Sequence, residues 1–363
     1  MKGNMKVAAY YSNRDVQVKE MPIPEIGVNE FLLETRASGI CGSDTMKGHR
    51  EEKIEALRKQ GKFWTPGHEI SGIVVEVGEN VFGRFGYSKG KRVFVTHHVN
   101  CGNCRPCRKG NPTQCREFKD INNFVPGGMA EYVKVGGRSV ETGVIRLNDE
   151  MSYDQASFIE PLGTVVEMLK AKKQAYSKDD TVLVLGSGIV GILQIQYARA
   201  RGVEKIFATD ISEFRLKKAR ELGADYAFHA DEYSPEKLRE LNQGRLADWV
   251  IDCVGSDSVA EQAFKSFEPG GKIIGFAIPQ KNSNPNIDRY KYCRDGYLYW
   301  PTYGASPEAC QEAYELIRDG KINVNAMITH NLPLEDIAEG FRLASEGKEC
   351  LKVIINPHMK KAA

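Results

Sequence analysis

The first part of the chain alternates short apolar runs with glycine-rich turns. Such runs are typical of strands, so residues 1 to about 150 are predicted to form an irregular β-rich region. The predicted strands cover residues 7–11, 30–35, 70–78, 92–96 and 129–135.

The pattern changes at about residue 180, where short apolar runs begin to alternate with amphipathic segments. This alternation predicts an α/β fold in which helices are wound around a parallel sheet. The predicted strands cover residues 181–185, 205–210, 249–252 and 272–276, and the predicted helices cover 189–201, 213–222 and 258–267. Two further amphipathic segments, 307–318 and 334–344, precede a final predicted strand at 351–355.

Residues 51–62 differ from both patterns, because charges of both signs surround Ile54, Ala56 and Leu57 at roughly helical spacing. This arrangement predicts a solvated surface helix. A lid over a neighbouring cleft is the alternative.

Composition narrows the class of protein. The chain has 363 residues, which suits two domains, and its 50 basic and 48 acidic residues include no basic block. The electrostatic footprint of a nucleic-acid-binding protein is therefore absent. The N-terminus has no apolar signal core and no apolar run is long enough to span a bilayer, so we expect a cytoplasmic protein without a membrane partner.

Four cysteines lie within fifteen residues, at Cys101, Cys104, Cys107 and Cys115. At this C-x2-C-x2-C-x7-C spacing, four thiolates can close on one tetrahedral zinc, and a site filled by protein ligands is structural. Two disulfides in a secreted loop are the alternative. The other five cysteines are scattered singly, which is no disulfide framework.

A glycine motif directly follows the predicted strand at 181–185. Gly186 permits a tight turn, Gly188 allows backbone to approach a pyrophosphate, and Gly191 allows close packing of helix on strand. Ile189 and Val190 open the following helix, whose N-terminus offers unpaired amides to the phosphates. This context predicts a Rossmann dinucleotide site.

Asp210 ends the next predicted strand. Its carboxylate is positioned to accept hydrogen bonds from the adenosine ribose hydroxyls and would repel a 2′-phosphate, so NAD is favoured over NADP. Arg215 keeps the NADP alternative open, because a guanidinium pairs well with a phosphate.

Further candidate zinc ligands lie at three places in the chain: Cys41, the pair His68 and Glu69, and Glu160. Each place is a weak signal alone. Together with the four-cysteine loop and the glycine motif, in this order along the chain, they resemble the zinc-dependent medium-chain dehydrogenases. The resemblance runs from Met5 to about Pro357 and is closest to the branch containing sorbitol, threonine and glucose dehydrogenases.

This resemblance implies a GroES-like β-rich domain of residues 1–165 and 300–363 that carries both zinc sites. It also implies a Rossmann NAD-binding domain of residues 166–299, an active site in the cleft between the domains, and a homodimer or homotetramer. Two zinc ions per chain and NAD are the implied cofactors.

The resemblance also assigns roles. Cys41 and His68 are implied to bind the catalytic zinc, with Glu69 and Glu160 ligating directly or through water. An open metal position would acidify a substrate hydroxyl, whose carbon then gives hydride to the nicotinamide. Thr164 is implied to pack on the nicotinamide, and Val254 to lie in a turn near its ribose.

The proton route departs from the family pattern. By resemblance, Ser43 occupies the hydroxyl position that passes the proton onward. Met46 stands where the alcohol, sorbitol and threonine dehydrogenases carry a relay histidine, which the glucose dehydrogenases of the same branch also lack. His49 is close enough in sequence to substitute, although it is equally well explained as a surface histidine. Release of the proton to water through Glu69 or Glu160 is the alternative route.

These observations predict a zinc-dependent enzyme that transfers hydride between NAD and a secondary hydroxyl or ketone of a polyol, cyclitol, aldose or related sugar derivative. A threonine-type amino-alcohol dehydrogenase is one alternative, although Met46 counts against it. A non-catalytic zinc-binding module is the alternative from another class.

Overall fold

The computed structural model describes residues 1–12, 14–46, 51–120 and 123–361, with only the backbone described at 119 and 120. The strands in this part of the chain are β1 Asn4–Ser12, β2 Asp15–Pro22, β3 Phe31–Gly39, β4 Glu69–Val77, β5 Arg92–Val95, β6 Phe124–Val125, β7 Tyr132–Val135, β8 Val144–Arg146, β9 Thr181–Leu185, β10 Lys205–Asp210, β11 Tyr226–His229, β12 Ala247–Asp252, β13 Phe267–Gly275, β14 Leu298–Pro301, β15 Ile328–Pro333 and β16 Lys352–Asn356.

Helices connect these strands. They are α1 Gly42–Thr45, α2 Glu51–Lys59, α3 Glu79–Phe85, α4 Arg105–Arg108, α5 Arg116–Asp120, α6 Gly137–Thr142, α7 Tyr153–Ser157, α8 Ile159–Lys170, α9 Ile189–Ala200, α10 Glu213–Glu221, α11 Pro235–Leu241, α12 Asp257–Lys265, α13 Arg289–Asp295, α14 Pro307–Arg318 and α15 Ile337–Glu346. No helix in the described ranges is long and apolar enough to cross a membrane.

The first compact unit comprises residues 1–163, 304–319 and 324–363. Its main sheet runs in the order β15, β16, β3, β4, β5, β8, and β7 pairs with both β3 and β6. Most of these pairings are antiparallel, and apolar residues of β3, β4, β5 and β7, including Phe31 and Val74, form a buried core. A second core lies where α15 packs Ile337 and Phe341 against β1 and β16.

The second compact unit comprises residues 164–303 and 320–323. Six parallel strands form one sheet in the order β11, β10, β9, β12, β13, β14. The first strand in sequence, β9, therefore lies between β10 and β12, and its carboxyl end is the point where the winding direction reverses. In open α/β sheets, ligands bind at this point. The predicted α/β fold class, with a β-rich unit and a doubly wound parallel sheet, is confirmed.

Several local predictions need correction. The strand predicted at 129–135 is regular only from Tyr132, because Met129 and Ala130 instead make a hydrogen bond and a bridge to β1. Phe267 was predicted to end a helix but begins β13, where its side chain is buried in the core of the second unit.

The segment predicted at 51–62 is a helix through Lys59. Its charged residues are exposed, and Ile54 is buried against the core that contains Tyr10. This helix is thus anchored on β1 by one apolar side chain.

Candidate active site

The four cysteines predicted to bind a structural zinc lie together in one loop. The sulfur atoms of Cys101, Cys104, Cys107 and Cys115 are all within 4.8 Å of one another. The short helix α4 turns the chain back, so that Cys104 Sγ and Cys107 Sγ are 3.4 Å apart. None of the nine cysteines forms a disulfide, so the structure gives no support to the alternative of a disulfide-bonded loop.

The electrostatics of this loop favour a bound cation. Backbone amides of Asn103 and Cys104 donate hydrogen bonds that lower the pKa of Cys101 to about 7. Burial and the neighbouring thiols raise the pKa of Cys107 to about 12. Four thiols this close can ionise together only around a cation, and the donor set fits a tetrahedral zinc with no position left for substrate.

A second group of potential ligands consists of Cys41, His68 and Glu69, whose ligand atoms also lie within 4.8 Å of one another. One sulfur, one imidazole nitrogen and one carboxylate oxygen make a donor set that suits zinc. Three protein ligands leave room for a substrate oxygen, so this group has the chemistry of an open metal site.

Asp44 organises the first two members of this group. The backbone N–H of Cys41 donates to Asp44 Oδ2 at 3.1 Å, and the N–H of Asp44 donates to the Cys41 carbonyl at 3.0 Å, which closes α1 onto Cys41. The other carboxylate oxygen of Asp44 lies 3.8 Å from His68 Nδ1. This distance is too long for a hydrogen bond, so the Asp44 carboxylate acts on the histidine through its charge.

His68 follows a glycine that the packing requires. Gly67 has φ +102°, and a Cβ there would lie 2.6 Å from the backbone nitrogen of Met129 and 2.9 Å from Ser38 Oγ. Burial opposes charge on the His68 ring, but Asp44 and Cys41 outweigh it and raise its pKa to about 10. A metal ion acts in the opposite direction, because a ligating histidine must be neutral.

Glu69 forms a fully buried ion pair with Lys352, in which the lysine ammonium also donates to the Ile40 carbonyl at 3.2 Å. Gly39 makes this pair possible, since a Cβ at that position would lie 2.0 Å from Glu69 Oε2 and 2.8 Å from Lys352 Cε. Lys352 comes from β16, near the end of the chain. The orientation of Glu69 therefore depends on a residue far away in sequence.

Glu160, at the start of α8, falls outside the group formed by Cys41, His68 and Glu69. It is buried, and burial raises the pKa of its carboxyl to about 7, with His68 opposing and Glu69 adding to the shift. The Glu160 carboxyl is therefore close enough to interact electrostatically with His68 and Glu69, but it is not one of the three clustered ligands.

The predicted proton-transfer residues are only partly described. Ser43 in α1 is half-buried and lines a pocket together with Asp44 and Met46. Met46 is exposed there and offers no proton-carrying atom. His49 lies outside the residues that the structure describes.

The three motif glycines of the second unit each have a distinct geometry. Gly186 has φ +92°, and a Cβ at Gly191 would lie 1.9 Å from the Gly186 carbonyl oxygen, so helix α9 packs directly on the turn. A Cβ on Gly188 would meet no atom within 4 Å. The space above Gly188, at the N-terminus of α9 where Ile189 and Val190 begin the helix, fits the approach of a pyrophosphate.

Asp210 lies at the end of β10 beside this turn. Its Oδ2 accepts a hydrogen bond from the Ser187 N–H at 2.8 Å, and its Oδ1 accepts from the Ser212 N–H at 2.9 Å. Arg215 Nη1 is 3.9 Å from Asp210 Oδ2. Carboxylate and guanidinium are thus both present where an adenosine ribose binds in this type of fold.

The two remaining predicted cofactor residues are also in the second unit. Val254 is half-exposed, in a turn whose backbone N–H groups at Val254 and Gly255 both donate to Asp252 Oδ1 at 2.9 Å. This turn follows β12, which neighbours β9 in the sheet. Thr164 is half-buried in α8.

Comparison with known proteins agrees with this geometry. Residues 27–149 match the model of the alcohol dehydrogenase GroES-like domain, and residues 190–320 match that of the zinc-binding dehydrogenases. The chain is 30% identical to L-threonine 3-dehydrogenase of Bacillus velezensis over 98% of this chain and 100% of that protein. The chain belongs to the zinc-dependent medium-chain dehydrogenases.

Two further relatives show the breadth of this family. The chain is 27% identical to sorbitol dehydrogenase of Bacillus subtilis, over 98% of each protein. It superposes on 2R,3R-butanediol dehydrogenase from Bacillus subtilis with a TM-score of 0.82 and 25% identity, over 98% of this chain and 100% of that one.

This medium-chain dehydrogenase is therefore a zinc-type alcohol or polyol dehydrogenase, with zinc and NAD as its cofactors. The prediction of an enzyme is confirmed, and the non-catalytic zinc module is set aside. The roles of individual site residues remain predictions.

Sequence reasoning missed two features beside the group of Cys41, His68 and Glu69, which we call the open group. Lys352 was hidden inside an apolar strand pattern, although a lone charge in such a pattern is a usable signal. His97 was also missed, and its ring centroid lies 5.0 Å from that of His68 and 3.7 Å from that of His98. Two adjacent histidines directly after a predicted strand were the available sign.

Proposed function

We propose that this dehydrogenase oxidises a secondary hydroxyl of a polyol, cyclitol, aldose or related sugar derivative with NAD, or reduces the matching ketone. The observation that carries this proposal is the group of Cys41, His68 and Glu69 next to the pocket that Ser43 lines. A carboxylate in place of a second thiolate makes the surroundings of the metal more polar, which suits a hydroxyl-rich substrate.

Zinc held by this group would acidify the substrate hydroxyl, and NAD would accept hydride from its carbon. The protein's own residues set the geometry. Asp44 fixes the backbone of Cys41 and places a negative charge beside His68, while Lys352 holds Glu69. Ser43 is the hydroxyl group that would take the substrate proton while it releases its own proton toward solvent, since Met46 has no atom that can carry a proton.

A threonine-type amino-alcohol dehydrogenase is the second candidate. The 30% identity to an L-threonine 3-dehydrogenase over its whole length favours it. Met46, at the position where the relay histidine is expected, argues against it.

Initial rates of NAD reduction with a panel of polyols, cyclitols, aldoses, sugar acids and L-threonine test both candidates. We expect at least one hydroxylated sugar derivative to be oxidised faster than threonine at equal concentration. Turnover of threonine alone would support the second candidate and contradict the first.

For the cofactor we propose NAD over NADP, because Asp210 presents a carboxylate at the end of β10. Asp210→Ser should lower kcat/KM for NAD by about tenfold, the loss expected for a charge-assisted hydrogen bond, and should raise it for NADP. Glu213→Gln, which removes an exposed negative charge from the same helix–strand connection, should leave both values nearly unchanged. A wild-type preference for NADP would contradict the assignment.

We also propose a homodimer or homotetramer, as the family resemblance implies. Light scattering of the purified zinc-loaded enzyme measures this directly.

A further inference from the structure

The pocket beside Ser43 is large enough for a substrate and lies entirely within the first unit. Its volume is about 830 Å³, and its walls include Ser43, Asp44, the turn between β1 and β2, and one side of α2. Since Asp44 also contacts Cys41 and His68, the pocket adjoins the open metal group. A molecule in this pocket would therefore have one end close to the reacting centre.

Some of the charged side chains that line this pocket have a partner of opposite charge, and others do not. Asp44 faces His68, and Lys59 Nζ is bonded to Glu55 Oε1 at 2.9 Å. Glu51 also takes part in a contact with another residue, so it is not a free carboxylate. Arg14 and Arg58, in contrast, both line the pocket, and their guanidinium groups have no carboxylate partner anywhere in the described part of the chain.

The two arginines come from different elements that are held together by packing. Arg14 lies in the turn that joins β1 to β2, and Arg58 lies near the end of α2. Ile54 fixes α2 against the core residue Tyr10 of β1. Two guanidinium groups on one pocket make a site for an oxyanion, which each can bind through paired N–H groups.

Aromatic side chains supply the other surface of the pocket. Tyr11 and Trp64 line it, and the Trp64 ring packs edge-on against Tyr10 with centroids 5.3 Å apart. Flat aromatic faces suit the C–H surface of a carbon chain whose hydroxyls point elsewhere.

We propose that the substrate is a hydroxylated compound with a terminal oxyanion, a carboxylate or a phosphate ester, which Arg14 and Arg58 bind while the reacting hydroxyl lies near Ser43. This inference rests on the proposed function and specifies the substrate class for the same site. It makes sugar acids or sugar phosphates better substrates than neutral polyols of the same configuration.

Pairs of compounds that share a configuration but differ in charge test the proposal on the zinc-loaded enzyme. D-gluconate, D-galactonate and D-mannonate are compared with glucitol, galactitol and mannitol, and glucitol 6-phosphate separates a phosphate from a carboxylate. We expect kcat/KM for the best anion to exceed that of its neutral partner at least tenfold. The KM of the anion alone should rise with ionic strength, because salt screens its attraction to the arginines.

Variants assign the effect to the two arginines. Arg14→Ala and Arg58→Ala should each lower the ratio of anion to neutral kcat/KM about tenfold, mainly through the KM of the anion. Arg58→Lys should recover part of the ratio. Arg84→Ala removes another exposed arginine, on α3 of the same unit and outside the pocket lining, and serves as the control, for which the ratio should stay unchanged.

The outcomes separate this inference from the proposed function. Equal kcat/KM for anions and neutral polyols, or a ratio unaffected by Arg14→Ala and Arg58→Ala, would overturn the inference and leave the dehydrogenase assignment intact. If no sugar derivative is oxidised, calorimetric titration with D-gluconate decides: binding that weakens in both arginine variants supports the oxyanion site, and no binding by the wild type overturns it.

Discussion

The two groups of metal ligands in the first unit are built in opposite ways. The four-cysteine loop takes all its ligands from one short stretch, and backbone amides of the same stretch donate to the sulfurs. The group of Cys41, His68 and Glu69 takes its ligands from the residue before α1, the residue before β4 and the first residue of β4. Asp44 accepts a hydrogen bond from the Cys41 backbone, and Lys352 pairs with Glu69. A closed site can be local, whereas an open site needs the folded core to hold its ligands in place.

The largest expected contrast is in activity. Cys41→Ser should reduce kcat/KM at least about a thousandfold, because metal-ion catalysis contributes several kcal/mol and a tenfold change corresponds to about 1.4 kcal/mol. Zinc per chain, measured by atomic emission, should fall from about two to about one. Cys293→Ser changes an exposed cysteine of the second unit and should alter neither value. Full activity in Cys41→Ser would remove this group from the chemistry.

The next prediction concerns the buried ion pair between Lys352 and Glu69, which holds Glu69 in the open group. Lys352→Met leaves the buried carboxylate of Glu69 unpaired, so the free energy of unfolding should fall by about 3 kcal/mol or more in denaturant titrations. Combining it with Glu69→Gln removes the unpaired charge and should restore part of that loss. A loss below about 1 kcal/mol in the single variant would mean that the pair is dispensable for folding.

The smallest expected change is in the closed site. Cys107→Ser should lower the melting temperature by about 4–8 °C, which corresponds to about 2 kcal/mol in a domain of this size. The folded fraction should keep its KM, because this loop has no position for substrate. Cys350→Ser, in a buried cysteine outside both groups, is the matched control for the loss of a thiol. A large rise in KM for Cys107→Ser would give the loop a part in substrate binding.

The difference between the two groups of metal ligands also explains which features could be predicted from the sequence. The four-cysteine loop and the turn at Gly186 are local, so spacing alone was enough to predict their geometry. The strand at 181–185 was predicted to the residue, and the amphipathic segment at 307–318 coincides with helix α14. In both segments the spacing of the apolar residues is regular.

Features that depend on packing were harder to predict. The helix α8 escaped notice, because Glu160 and Pro161 resemble a turn in sequence although proline is well tolerated in a first helical turn. The pair of Glu69 and Lys352 joins residues on β4 and β16 that only the sheet brings together through β3. Resemblance to a family identified Cys41 and His68 as partners, but spacing could not have done so.

Because Lys352 lies on β16, the two groups of metal ligands are completed at different times during synthesis of the chain. Chains emerge from the ribosome N-terminus first, and their domains generally fold as units. Cys41 and His68 leave the ribosome early, whereas Lys352 follows 284 residues after His68. The four-cysteine loop can therefore take up its metal before Lys352 has been synthesised, whereas the group of Cys41, His68 and Glu69 is supported only after β16 has been synthesised and has paired with β3. Nascent or prematurely terminated chains that end before Lys352 lack the cation that holds Glu69 and should have no dehydrogenase activity.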